Sequence, residues 1–234
     1  MKKYCFSFFV ILLITGVFFF GCKNSTASEN PDKTVVCFGN SLTAGYGASV
    51  PGEDDKTKSY PAFLQEKINI PVINAGVTGD TTEQGLARIR TDVISKNPRI
   101  VIIELGANDF FNFILFPPAA TKKNLQKIID KLNPKRTKIY LAKFFTEAVA
   151  REIANSYGIT NYVTQTWLIN QYENIFNELA ASNNIVLIED IWAGVWGIHM
   201  SDAVHPDAQG YEIMANNYFN ILEPYLLENN LLAE

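Results

Sequence analysis

The sequence predicts an α/β protein: a three-layer α/β/α sandwich around a five-stranded, mostly parallel sheet. Three observations predict it. Five short apolar runs alternate with longer amphipathic stretches, and strand–helix alternation gives a parallel sheet with helices on both faces. The strongest run, Ile100 to Leu105, is apolar almost throughout, as a strand covered on both faces should be. Polar blocks rich in Gly, Asn and Asp follow the runs, at the strand ends where such sheets bind ligands.

Taken in order, Thr34 to Phe38 is a β-rich run ending at a glycine. Ser59 can cap a helix with Pro61 in its first turn, running to about Ile68. Val72 to Asn74 is a short second strand. Asp80-Thr81-Thr82-Glu83-Gln84 offers overlapping capping boxes ahead of Leu86, Ile89, Val93 and Ile94, which recur at helical spacing. Ile100 to Leu105 is the third strand; Lys138 to Ala142 and Ile185 to Ile188 complete the set. Ala119 to Leu132, Gln165 to Ser182 and Pro206 to Leu222 read as further helices. The segment from Phe144 to Thr164 fits less cleanly. Its Ala148, Val149, Ile153, Ala154 and Tyr157 sit at helical spacing, which predicts an extra helix beside or over the site.

The chain has 234 residues. Lys2 and Lys3, the apolar stretch Tyr4 to Phe20, and Gly21-Cys22 predict an export signal over residues 1–21; the run is short for a membrane span. A small residue before Cys22 predicts a lipoprotein signal with Cys22 lipidated, although Phe19 and Phe20 depart from a bacterial lipobox. Residues 22–33 are polar and read as a tether. Residues 34–234 suffice for one domain with a full core. The net charge is −4, which argues against a nucleic-acid partner. Cys37 stands alone in an apolar strand and is expected to behave as a small hydrophobe. Only two histidines are present, with no further ligand cluster, so no metal site is expected. Glu53-Asp54-Asp55 reads as a solvated loop.

Four polar blocks carry the chemistry: Gly39-Asn40-Ser41-Leu42, Asn74-Ala75-Gly76, Gly106-Ala107-Asn108-Asp109 and Asp202-Ala203-Val204-His205-Pro206. Ser41 follows a strand, where a hydroxyl would stand at the sheet edge beside free helix amides. Alone it would be an ordinary N-cap. Asp202 precedes His205 by three residues, so a carboxylate in the same loop can fix the imidazole tautomer and leave the other nitrogen to face Ser41. A hydrolysed ester passes through an oxyanion, for which the Ser41 and Gly76 N–H groups and the Asn108 amide are candidate donors. Asn74 and Asp109 read as residues that hold loops. Phe110, Phe111 and Phe113, in the apolar loop after Asn108, could wall an acyl chain or simply pack a helix start. Trp192 and Trp196 stand in the loop before the His block, where they could line the opposite rim.

In these four blocks the chain resembles the SGNH/GDSL hydrolase family. Ser41, Gly76, Asn108 and His205 match its four named residues, and Asp202 holds its D-x-x-H position. The likeness runs from about Val35 to Tyr225. The runs Leu42-Thr43-Ala44-Gly45-Tyr46-Gly47 and Asn74 to Thr82 are closest to the bacterial periplasmic thioesterase, arylesterase and lysophospholipase group. The resemblance implies a flavodoxin-like fold and a serine hydrolase with catalytic Ser41, Asp202 and His205 that cleaves acyl esters of medium to long chain, lysophospholipids or thioesters without a cofactor. The expected partners are a small-molecule acyl ester or lysolipid and, through the lipid anchor, a membrane of the bacterial cell envelope; the expected state is a monomer. A carbohydrate O-deacetylase is the alternative reading, and a non-catalytic binding lipoprotein a more distant one. Two departures stand out: Asn40 replaces the Asp of the usual GDSL block, and the segment from Phe144 to Thr164 is longer than in compact members.

Overall fold

The computed structural model describes residues 34–233. The expected signal, the tether and Cys22 lie outside the described residues. Five strands form one sheet in the order β2-β1-β3-β4-β5: β1 Val35–Gly39, β2 Val72–Gly76, β3 Ile100–Glu104, β4 Lys138–Ala142 and β5 Val186–Ile188. Every neighbouring pair is parallel, so the expected sheet is parallel throughout. This order is the flavodoxin-like one.

The helices are α1 Ser41–Ala44, α2 Tyr60–Gln65, α3 Thr82–Asp92, α4 Ala107–Phe111, α5 Pro118–Lys131, α6 Glu147–Ser156, α7 Tyr162–Asn183 and α8 Ala208–Glu228. The capping box before α3 forms as expected, between Thr81 and Gln84. Helix α2 stops before Ile68 because the Gln65 side chain turns onto the following loop. Its Nε2 donates to the Ile68 and Ile70 carbonyls, and its Oε1 accepts from Val72 N–H at the start of β2.

Alternation along the strands sorts the core into two layers. Val36, Phe38, Val101, Ile103, Ile139 and Leu141 face one way and pack with Ile89 of α3, Leu125 and Ile128 of α5, and Leu168 and Phe176 of α7. Val35, Cys37, Ile100, Ile102 and Tyr140 face the other way and pack with Leu64 of α2 and Met214, Tyr218 and Leu222 of α8. Burial of each large apolar side chain contributes roughly 1.5–3 kcal/mol. Cys37 is fully buried, and burial pushes its thiol up to about 12. The extra helix expected between Phe144 and Thr164 is α6. It adds Ala150 and Ala154 to the first layer and Val149 and Ile153 to the second.

The register sets the site. Gly39 pairs with Gly76 on one side and Glu104 on the other. The carboxyl ends of β1, β2 and β3 are therefore level, and the segments leaving them emerge side by side.

Candidate active site

Ser41 is the first residue of α1, directly beyond β1. Asn40 caps that helix: its Oδ1 accepts the Leu42 N–H at 3.0 Å. The turn is held from below by β3, where Asn40 Nδ2 donates to Glu104 Oε1 at 3.3 Å and Thr43 Oγ1 lies 3.1 Å from Glu104 Oε2. It is held from the side by β2, where Asn74 Nδ2 donates to the Thr43 carbonyl at 2.7 Å. Burial pushes the Glu104 carboxyl up to about 8, against the hydrogen bonds from Thr43 and Asn40, which favour ionisation. As the first residue of a helix, Ser41 has no intrahelical acceptor for its N–H.

The loop ahead of α8 presents the base. Asp202 Oδ1 accepts the backbone N–H groups of Val204 and His205, each at 2.8 Å, which folds the loop around the carboxylate. The same carboxylate meets the imidazole: His205 Nδ1 lies 2.8 Å from Asp202 Oδ2. His205 Nε2 lies 3.0 Å from Ser41 Oγ. An ionised Asp202 can only accept, so Nδ1 carries the proton and Nε2 is left to accept the Ser41 hydroxyl. Burial alone would raise the Asp202 carboxyl, but hydrogen bonds from Val204 and His205 outweigh it and hold the group below its usual range. Tyr46 packs against the imidazole with ring centroids 4.5 Å apart.

The third wall comes from α4 and the loop after β2. Asn108 lines the cleft, its Nδ2 donating to the Asp80 carbonyl at 2.9 Å. Asp109 points the other way. Its buried carboxylate accepts from Thr82 N–H at 2.9 Å and from the Thr82 and Thr121 hydroxyls, tying α4 to α3 and α5. The role expected for Asn74 and Asp109, holding loops, matches these bonds.

Gly76 does not line the cleft over Ser41. Its N–H already donates to Asn74 Oδ1 at 2.9 Å. It lies inside β2, so close to α1 that a Cβ there would come within 2.3 Å of the Ala44 nitrogen. Its lack of a side chain serves packing. The cleft is instead lined by Gly79, which has φ +86° and open space where a Cβ would stand. Gly79 carries little signal of its own in the sequence. The available signal was its place: in the loop beyond the strand end and just before the capped start of α3, in the Asn74 to Thr82 run.

Much of the cleft over Ser41 is apolar, with Leu42, Ala107, Phe111, Phe144, Ile153 and Trp192 around it. Of the three phenylalanines read as an acyl wall, only Phe111 lines it. Phe110 is fully buried, packed edge-on against Phe144 and Tyr172. Successive residues of a helix face different directions, so α4 can present only one of this pair to the cleft. Phe113 packs on the outer side against Trp167. Trp192 lines the cleft, while Trp196 turns its Nε1 to Glu152. His199 stands apart, its Nδ1 4.0 Å from Asp207.

The model of the GDSL-like lipase/acylhydrolase family matches residues 37–213, which spans Ser41, Asn108, Asp202 and His205. The chain belongs to that family. It is a carboxylic-ester hydrolase. Esterase TesA of Pseudomonas aeruginosa is 25% identical over 202 residues, covering 83% of this chain and 90% of that protein. The Escherichia coli K12 protein named thioesterase 1/protease 1/lysophospholipase L1 is 37% identical over 99 residues, covering 42% of this chain and 44% of that protein. Among solved structures, AlinE4, titled an SGNH-hydrolase family esterase, is 31% identical with a TM-score of 0.57, covering 85% of this chain and 99% of that one.

Proposed function

We propose that this GDSL hydrolase cleaves acyl esters through an acyl-enzyme on Ser41. The observation that carries the reading is the hydrogen-bonded chain Ser41–His205–Asp202, with links of 3.0 and 2.8 Å. His205 Nε2 takes the Ser41 proton as Oγ bonds to the acyl carbon, and Asp202 holds the imidazole and balances its charge. The Ser41 N–H, the Gly79 N–H and the Asn108 side-chain amide receive the oxyanion, each donor typically worth about 3 kcal/mol. His205 then gives the proton to the departing alcohol or thiol. Water, deprotonated by the same nitrogen, attacks the acyl carbon and frees Ser41.

The apolar wall of Phe111, Phe144, Ile153 and Trp192 favours a hydrocarbon acyl group over an acetyl, since each buried methylene contributes roughly 0.8 kcal/mol. Lysophospholipids and medium- to long-chain esters are the proposed substrates, and Cys22 is proposed as a lipid anchor to the bacterial envelope. Turnover of lysophosphatidylcholine and of acylated and acetylated esters by wild type and Ser41→Ala tests the reading. Ser41-dependent release of fatty acid is expected. Ser41-dependent hydrolysis of acetylated sugars alone would replace it with a carbohydrate O-deacetylase, and hydrolysis surviving Ser41→Ala would remove Ser41 from the mechanism. Labelling by radioactive palmitate, lost in Cys22→Ala, tests the anchor.

A further inference from the structure

Two aromatic rings close one side of the cleft over Ser41. Phe111 and Tyr157 stack face to face, centroids 4.4 Å apart and planes 2° from parallel. They come from separate parts of the chain. Phe111 is the last residue of α4, three positions after Asn108, and Tyr157 ends α6. Both line the cleft. Burial raises the Tyr157 hydroxyl pKa, and the Asp202 carboxylate and Tyr46 raise it further.

The two sides of this pair differ. Beneath it the floor is fixed: Phe144, Ile153 and Trp192 are buried, and Trp192 Nε1 donates to the Phe144 carbonyl at 2.7 Å. Outside it the chain exposes apolar side chains. Ile114 and Leu115, in the link from α4 to α5, are 83% and 74% exposed, and Val163 and Trp167, in the first turns of α7, are exposed too. The Phe113–Trp167 ring contact joins the two segments. Tyr157 itself is 52% exposed and is followed by Gly158 at φ +78° with open space around it. At that exposure the Tyr157 ring can leave the stack without unpacking the core.

We infer that Phe111 and Tyr157 form a specificity-determining gate: closed, the stack confines the acyl group to the floor over Trp192; parted, it lets a longer acyl chain run out along Ile114, Leu115, Val163 and Trp167. The inference rests on Ser41 as the acyl acceptor and narrows the substrate class to single-chain lipid esters. Rings that stack on each other cover one another's faces, so an acyl chain entering between them must replace that contact. Short acyl groups need not part the rings; long ones must.

The test is kcat/KM on p-nitrophenyl esters of two to sixteen carbons, using the full chain as wild type, Tyr157→Ala, Tyr157→Phe and the pair Ile114→Asn/Leu115→Asn. Tyr157→Ala removes the stack that a long chain must displace, so it is expected to raise the preference for twelve-carbon over four-carbon esters by up to about tenfold. Tyr157→Phe keeps the ring and should keep the wild-type profile. The asparagine pair should weaken only the longer esters. A Tyr157→Ala profile that scales equally at every length, or stays unchanged, overturns the gate while Ser41 keeps its role. Wild type that turns over no ester of any length overturns the catalytic reading and the gate together.

Discussion

Asn40 and Glu104 face each other beneath the nucleophile. Asn40 Nδ2 donates to Glu104 Oε1 at 3.3 Å while Asn40 Oδ1 caps the helix that Ser41 begins. Glu104 is fully buried, and its neighbours Thr43, Asn40 and Tyr60 are neutral. An Asp at position 40, as in the usual GDSL block, would set two carboxyls against each other.

That contact predicts a pH-dependent stability. In the folded chain Glu104 keeps its proton to about 8, against a value of 4.5 when unperturbed. Because the folded pKa is raised, the benefit of holding the proton is complete below the unfolded value and fades as pH rises to the folded one. Glu104→Gln removes this dependence. Relative to wild type, the variant should gain on the order of a few kcal/mol between about pH 4.5 and pH 8. Denaturant unfolding across that range checks it, and parallel stability curves would contradict it.

Removing the carboxylate behind the imidazole should damage chemistry and not the fold. Asp202→Asn loses the charge that fixes the tautomer, so kcat should fall by roughly 10²- to 10⁴-fold. KM should change far less and thermal unfolding little. Single-turnover kinetics separate this from a binding defect.

The two glycines of the second block should fail in opposite ways. Gly76→Ala forces a methyl against the α1 backbone, and overpacking of this kind costs about 1–3 kcal/mol. Gly79→Ala meets open space, but at φ +86° it strains the turn by roughly 1–2 kcal/mol. Its main effect should be on kcat, by up to about 10²-fold, through a displaced N–H. Melting curves beside kcat for both variants decide which glycine serves the oxyanion.

Phe110 and Phe111 should separate stability from specificity. Phe110→Ala opens a cavity in the core and should cost about 3–5 kcal/mol. Phe111→Ala should leave stability within about 1–2 kcal/mol while shifting the chain-length profile, because its ring stacks on the exposed Tyr157. Unfolding and ester profiles measured together test both.

All five strands were legible, because runs such as Ile100 to Ile103 are apolar on both faces and bounded by polar residues. So were the long helices, through their period and the Thr81–Gln84 box. The start of α1 at Ser41 was legible from its place after a strand, but α4 was not, since a helix of five residues cannot display a helical period. That gap explains the misplaced aromatics: without α4 nothing separates Phe110 from Phe111. The different places of Gly76 and Gly79 were not legible for a related reason. Two glycines three residues apart look alike in sequence, and only the end of β2 places one inside the sheet and the other in the cleft. That Ser41, Asp202 and His205 could meet was legible because Ser41 starts one local turn and Asp202 and His205 share another, leaving the fold only to bring the two turns together.

Ser41 is the proposed acyl acceptor. The most direct measurement is peptide mass spectrometry after reaction of the full chain with a fluorophosphonate, beside His205→Ala. A phosphonyl adduct on Ser41, slowed strongly in His205→Ala, is the predicted result. No adduct on Ser41 in a chain that still hydrolyses esters would contradict it.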